Sequence, residues 1–317
     1  MWGGKEFLLT HSTAPNAGLL ERGESSCSGS TLSPQSEILA SATGCLEPKA
    51  NSQPGGTEAE GLTRSGKDWI FVSDAHFTGR NRDEMEAFLR FLDLEKEYIS
   101  HLVILGDLFE FFFGFKKIPS KETAFPFTEY LPVLERLQVL SRHGIQIKYF
   151  EGNHDFFLDS LFSEHFQMEV EVHAGASEEW LAGRKTYIAH GDLSDPRQWK
   201  YRVFRRMLKN QWTYGLIHLA GPQIARLIAQ QLSQMSHEKY HMGQPSHPPP
   251  AFKAFAHRKF MEGFEIVILG HSHFPEDEEE WLDGKRCRYF NIGDWWTHRS
   301  FLRFTPPDRF ELSRFVG

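Results

Sequence analysis

The stretch Trp69–Ile70–Phe71–Val72–Ser73–Asp74–Ala75–His76 governs how the rest of the chain is read. Its four leading residues, apolar and mostly β-branched or aromatic, have the length and content of a buried strand. They run directly into an Asp and a His one residue apart. The pattern recurs four times. Leu102–Val103–Ile104–Leu105 leads to Gly106–Asp107, and Ile147–Lys148–Tyr149–Phe150 leads to Gly152–Asn153–His154–Asp155. Thr186–Tyr187–Ile188–Ala189 leads to His190–Gly191–Asp192, and Ile266–Val267–Ile268–Leu269 to Gly270–His271–Ser272–His273. Helical spacing appears between runs, in Met85, Phe88, Leu89 and Leu92 and again in Leu134, Leu137 and Leu140. Strand–helix alternation predicts an α/β domain, and such domains place their sites at the carboxyl ends of strands.

The chain has 317 residues, 40% hydrophobic and 24% charged, enough for one sizeable core with an insertion. A net charge of −7 gives no general attraction for nucleic acid and argues against a nuclease. Cys27, Cys45 and Cys287 are odd in number and far apart. They read as isolated thiols rather than a disulfide framework or a thiolate zinc site, and a reducing cytoplasm suits them. No apolar run approaches about 18 residues, and no basic start precedes an apolar stretch, so any membrane contact is expected to be peripheral. Residues 1–66 are rich in Ser, Gly, Pro, Thr and Glu without periodicity. They are expected to be a disordered extension, unable to bury enough apolar surface to offset their ordering entropy, or else a stretch upstream of the true start. The expected catalytic domain covers 67–194 and 252–317, interrupted by a helical insertion at 195–251.

The polar clusters share one chemistry. Asp and Asn offer hard oxygen ligands and neutral His offers nitrogen, a set that suits Mn, Fe, Zn or Co better than Ca or Mg. The D-x-H and H-x-H spacings put two ligands on one face of an extended strand end. A lone His at a strand end is more often structural than a ligand, but five such motifs in series point to a dinuclear centre. Asp107, well placed in the order of motifs, is the candidate bridge. Two ions about 3.5–4 Å apart can bind the attacking and leaving oxygens of a phosphoryl displacement and make hydroxide available at neutral pH. The expected reaction is metal-dependent hydrolysis of a phosphoric ester or pyrophosphate.

The series D-A-H, G-D-L-F-E, G-N-H-D, H-G-D and G-H-S-H resembles the calcineurin-like metallophosphoesterase superfamily, from Trp69 nearly to the C-terminus. That resemblance implies two facing mixed β-sheets flanked by helices. It implies one metal held by Asp74, His76, Asp107 and His273 and a second held by Asp107, Asn153, His190 and His271. It makes His154 the catalytic group that protonates the leaving group or steadies the phosphoryl oxygens, with Asp155 holding that imidazole in its tautomer. A narrower resemblance, carried by Gly106–Glu110, the helical insertion after His190–Gly191–Asp192 and Phe290–Asn291–Ile292–Gly293–Asp294–Trp295, is to bacterial UDP-2,3-diacylglucosamine diphosphatases. It implies Mn²⁺, a lid for acyl chains, and cleavage of a UDP-linked diacylated sugar to UMP and the acylated sugar 1-phosphate in lipid A synthesis. The best-known branch has Arg, in contact with substrate phosphate, where this chain has His154.

The insertion has its own character. Over 199–212, Val203, Phe204, Met207 and Leu208 fall on one side of a helical wheel and Arg202, Arg205, Arg206 and Lys209 on the other, with Lys200 toward the apolar side. A second helix is expected near Pro222, with Ile224, Leu227, Ile228 and Leu232 on one face. No Asp or Glu occurs between Pro196 and His237. The readings are a solvated basic face over a core helix, a lid for acyl chains and anionic lipid, or nucleic-acid binding through phosphate and aromatic stacking. With the resemblance, the lid reading leads. It implies a nucleotide-linked lipid substrate, contact of 199–212 with an anionic membrane, and a place on the cytoplasmic face of the inner membrane. Asp195, Lys200 and Arg205 are the candidate substrate contacts. The alternatives are a phosphoesterase on another nucleotide or phospholipid, and a peripheral membrane-binding protein whose metal is structural. Structural zinc sites are closed and usually thiolate-rich, unlike this set.

His101, His143, His165 and His173 lie off the motifs and read as surface or packing residues. Glu276–Glu280 reads as a solvated turn. Phe111, Phe112 and Phe113 are either core or a wall of the site, and Trp295, Trp296 and His298 are packing residues first.

Overall fold

A computed structural model describes residues 67–114, 125, 127–220, 227 and 247–317 of the chain. The expectation for 1–66 lies outside the described residues, as do Cys27 and Cys45. Cys287 is a free, buried thiol.

All five apolar runs are strands. β1 (Asp68–Val72), β2 (Ile99–Ile104), β4 (Gln146–Phe150) and β6 (Val170–His173) lie parallel in a six-stranded sheet, extended beyond β1 by the antiparallel pair β12 (Ser300–Thr305) and β13 (Arg309–Arg314). The second sheet has the order β10 (Pro275–Leu282), β11 (Lys285–Ile292), β9 (Ile266–Leu269), β8 (Arg184–Ala189), β7 (Ser177–Leu181). Its three central strands are parallel and its two edges antiparallel. Two-residue strands β3 (Phe112–Phe113) and β5 (Asp155–Phe156) pair in parallel.

The pleat explains why the central strands β1, β2 and β9 carry apolar runs rather than alternating. Phe71, Val103, Phe150, Ile188, Ile266, Ile268, Phe290 and Leu302 meet in one buried cluster drawn from both sheets. Their neighbours in sequence point the other way. Ile70, Val72, Leu102 and Ile104 pack against α1 (Arg82–Glu95) and α2 (Leu131–Arg142), through Phe88, Phe91, Leu92, Leu134, Leu137 and Leu140. Val267, Leu269 and Tyr289 pack against Phe252, Ala256 and Phe260 of the helix Pro250–Met261, spaced one turn apart. The result is helices, sheet, sheet, helix: two facing mixed sheets flanked by helices, as expected. With both faces covered, these strands have no solvent face to make polar.

Some elements differ from expectation. Glu276–Glu280 is not a turn but most of edge strand β10. Its carboxylates are held by cations on neighbouring elements, Asp277 by Arg288, Glu279 by Arg286, and Glu278 by Lys253. A charged edge strand resists pairing with another chain, which gives the acidic run a structural reason. In the insertion, the helix expected over 199–212 is two. α3 (Trp199–Leu208) stops, and α4 (Gln211–Ala220) follows. Asn210 makes the break, its Oδ1 accepting from the Trp212 amide at 2.9 Å as a helix N-cap does. The helix expected near Pro222 lies almost wholly outside the described residues; of its apolar face only Leu227 is described, helical and exposed. Pro250, placed within the insertion, already begins the following helix.

The off-motif histidines are packing or surface groups. His101 stacks on Trp69, His173 on Phe150 and His165 on Phe125, and His143 pairs with Glu97. Phe112, Phe113 and Trp295 are core.

Candidate metal centre

The parallel strands of both sheets deliver their carboxyl ends to one place. Leu105 N donates to Val72 O (2.8 Å) and Asp74 N to Gly106 O (3.1 Å), tying the loops after β1 and β2. Gly270 N donates to His190 O (2.8 Å), tying those after β9 and β8. The sheets are joined where His190 Nδ1 meets Leu105 O at 2.6 Å and where the His271 amide donates to Asp74 Oδ2 at 2.8 Å.

The ligand pairs do not lie on extended strand ends. Asp74, His76, Asp107, His271 and His273 all have positive φ, between 46° and 66°. The strands have ended and the backbone has entered the left-handed region, which costs an L-residue roughly 1–2 kcal/mol each. Ligands i and i+2 therefore share a direction because both residues of a pair adopt the same turned conformation, not because a pleat alternates. Strain of this kind persists only where surrounding contacts over-determine it. Here His76 N donates to Asp107 O at 3.0 Å.

Glycines give the room. A Cβ on Gly152 would lie 2.0 Å from Asp107 Oδ1, and one on Gly270 would lie 2.1 Å from Ser73 Oγ. Gly106, at φ 81°, would place a Cβ 2.6 Å from the Gly152 amide.

Three overlapping groups of ligand atoms result: Asp74, Asp107, His190 and His271; Asp74, His76 and His273; and His76, Asp107 and His154. His190 Nε2 faces His271 Nδ1 at 3.0 Å, Asn153 Oδ1 at 3.1 Å and Asp107 Oδ2 at 3.3 Å. One ring proton cannot satisfy three partners. Asp74 Oδ1, buried and without a hydrogen bond, faces His273 Nε2 at 3.5 Å and His76 Nε2 at 3.8 Å. The expected ligands are thus all brought together, with Asp107, Asp74 and His76 in two groups each and Asn153 against His190.

The electrostatics carry the same signature. Burial alone would push His190 and His76 down. The carboxylates of Asp107 and Asp74, with Asp192 for one and Glu110 for the other, instead push them up to about 10 and about 9. His271, buried beside His190, is pushed down to about 4. A pocket that drags protons onto buried imidazoles is short of positive charge, which divalent cations on these donors would supply. The residues present fit a metal centre.

His154 and Asp155 part company. His154 Nδ1 meets the backbone carbonyl of Glu110, not a carboxylate of Asp155, and its ring packs on Phe111 at 4.1 Å. Burial pushes its pKa down. Asp155 turns the opposite way, its Oδ2 accepting from the amides of Asp107 (2.5 Å) and Gly152 (3.4 Å). The expectation that Asp155 holds the His154 tautomer is therefore corrected. Successive residues of the short strand β5 and its approach point to opposite sides, so Asp155 fixes the backbone of Asp107 while Glu110 orients His154.

The three candidate substrate contacts fare differently. Asp195 accepts from Arg197 at 3.0 Å, and Lys200 is exposed beside the Trp199 ring; neither contacts the ligand cluster among the described residues. Arg205 does reach the site, but its guanidinium is committed to Asp192, two residues past His190. Tyr201 OH donates to the same carboxylate at 2.6 Å, and Lys209 Nζ pairs at 3.1 Å with Glu151, two residues before Asn153. Tyr201, Arg205 and Lys209 are spaced four apart, a polar stripe on one helical face. That stripe, with acidic residues flanking two motifs, was the available signal for this contact.

The chain belongs to the calcineurin-like phosphoesterase family, whose profile matches residues 69–275. It is thus a hydrolase of the metallophosphoesterase class. Among its relatives, a protein from Tolumonas auensis named UDP-2,3-diacylglucosamine hydrolase is 30% identical over 75% of this chain and 94% of its own. A protein of the same name from Aeromonas salmonicida is 28% identical over 76% and 91%. The solved structure of an archaeal phosphodiesterase aligns over 78% of this chain and 99% of its own at 12% identity, with a TM-score of 0.38.

Proposed function

We propose that this protein hydrolyses the pyrophosphate of UDP-2,3-diacylglucosamine, releasing UMP and 2,3-diacylglucosamine 1-phosphate as a step toward lipid A, with two divalent cations in the cluster, Mn²⁺ foremost. Relatives of nearly the same extent carry that substrate in their names. The observation that carries the reading on this chain is the orientation of the insertion. α3 docks through its basic stripe and leaves Trp199, Val203, Phe204 and Met207 exposed, and Trp212, Leu216 and Leu219 of α4 are exposed as well. Large apolar side chains exposed in this number on an insertion whose basic face reaches a phosphoesterase site suit an apolar occupant, which acyl chains and a bilayer supply.

The cations would activate water and offset charge developing on the phosphoryl oxygens. The chain's own residues do the rest. Asp155 holds Asp107 in place through its amide. His154, its Nδ1 turned to the Glu110 carbonyl, has Nε2 left to exchange a proton with the departing oxygen. A sugar 1-phosphate departs readily without full protonation, so His154 contributes less here than on an alkyl ester.

Lys200, exposed, and Arg206 beside the apolar face suit a peripheral position on an anionic cytoplasmic leaflet. Among the described residues no helix is long and apolar enough to cross a membrane. The test supplies the metal-stripped protein with Mn²⁺ and offers it the acylated UDP-sugar beside an aryl phosphodiester. UMP release from the lipid substrate is expected; turnover of the aryl ester alone would sink the substrate assignment.

A further inference from the structure

The stretch Asn291–Trp295 runs from the end of β11 into the short helix Trp295–His298. Its Asp294 follows the end of β11 and is 2% exposed. Both carboxylate oxygens are engaged. Oδ2 lies 3.2 Å from His273 Nδ1. Oδ1 lies 2.8 Å from His298 Nδ1 and accepts from the amides of Thr297 and His298 at 3.0 Å each. The backbone is pinned as well. Trp295 N donates to the carbonyls of Ser73 (3.1 Å) and Asp74 (3.2 Å), and Ser300 Oγ to Asp294 O (3.0 Å). The carboxylate is thus fastened to the same loop that carries Asp74 and His76.

We propose that Asp294 is a positioning residue of the metal centre. Its carboxylate keeps the proton of His273 on Nδ1, so that the lone pair of Nε2, 3.5 Å from Asp74 Oδ1, is directed to a cation that the two atoms would hold together. The inference rests on the cluster being a metal centre. A carboxylate held at one oxygen alone can still swing. Here His298 and two amides fix the other oxygen, and the plane of the group, and with it the ring of His273, is set. Helix capping does not by itself account for the residue. Asn, Ser or Thr caps a helix about as well, whereas accepting from an imidazole on each side calls for two acceptor oxygens.

Asp294→Asn separates these roles because it keeps the cap and loses one acceptor. The wild-type and variant proteins, stripped of metal, are titrated with Mn²⁺ by calorimetry, and their thermal unfolding is compared without metal. The expected result is a 10- to 100-fold weaker affinity for one of two ions, with metal-free stability little changed. Equal Mn²⁺ binding by the two proteins overturns the proposal. A wild-type protein that binds no Mn²⁺ overturns the metal-centre reading and this inference with it. A second measurement needs no folded variant: ¹⁵N-histidine NMR of the wild-type protein loaded with diamagnetic Zn²⁺. A protonated Nδ1 on His273 is expected there, and an unprotonated one overturns the proposal.

Discussion

Asp107 is held from three directions. Its amide donates to Asp155, Oδ1 accepts from the His154 amide at 2.8 Å, and Oδ2 faces His190 at 3.3 Å. A side chain so placed between two groups of ligands has no substitute. Asp107→Ala is expected to abolish both Mn²⁺ binding and turnover, and turnover above background would remove it from the bridging role. Gly152 is its steric counterpart. Gly152→Ala forces a methyl to 2.0 Å from Asp107 Oδ1, and overpacking of that kind costs roughly 1–3 kcal/mol. Denaturant unfolding should show that loss together with weaker metal binding; a variant as stable and active as wild type would mean the loops yield freely. His154→Asn should lower kcat on an alkyl or aryl ester by about 10²- to 10⁴-fold with Mn²⁺ affinity nearly unchanged, and by less on a pyrophosphate. Equal losses on both substrates would remove it from proton transfer.

The helix α3 shows how an element's surroundings redirect its sequence. Its basic residues were candidates for a free anion-binding face, yet Arg205 pairs with Asp192, Arg202 with the Leu193 carbonyl and Lys209 with Glu151. These contacts reach the flanks of His190 and Asn153. Replacing Arg205 and Lys209 by Met is expected to loosen the insertion, read as faster proteolysis within 197–220, and to raise KM for the lipid substrate more than for a small ester. The exposed apolar side predicts a separate effect. Val203→Ser, Phe204→Ser and Met207→Ser together should lower binding to anionic vesicles at least tenfold, since each buried side chain of this size contributes about 1.5–3 kcal/mol, while leaving hydrolysis of a small soluble ester intact. Vesicle binding that survives would return α3 to an ordinary solvated helix.

At the scale of the molecule, the family profile begins at residue 69, and the apolar clusters of the described residues join the sheets to each other and to the helices. A chain cut to residues 67–317 is expected to keep its fold and its metal-dependent hydrolysis. A truncated protein that folds but is inactive would assign residues 1–66 a part in catalysis.

The sequence by itself determined the five central strands, the two helices α1 and α2, and the polar residues Asp74, His76, Asp107, Asn153, His190, His271 and His273 that the structure gathers into one cluster. Each strand carries a short run rich in apolar, β-branched or aromatic residues that ends at a glycine or a polar cluster, and those local patterns are visible without a partner. It did not determine β10, because a strand of carboxylates is recognisable only beside Arg286, Arg288 and Lys253. Nor could spacing reveal the left-handed backbone at Asp74, His76, His271 and His273, the parting of Asp155 from His154, the use of Asp294 on His273, or the direction in which α3 faces. Each of these depends on which groups of other elements meet a side chain, and such hydrogen bonds and ion pairs are chosen by the packed sheets, not by local periodicity.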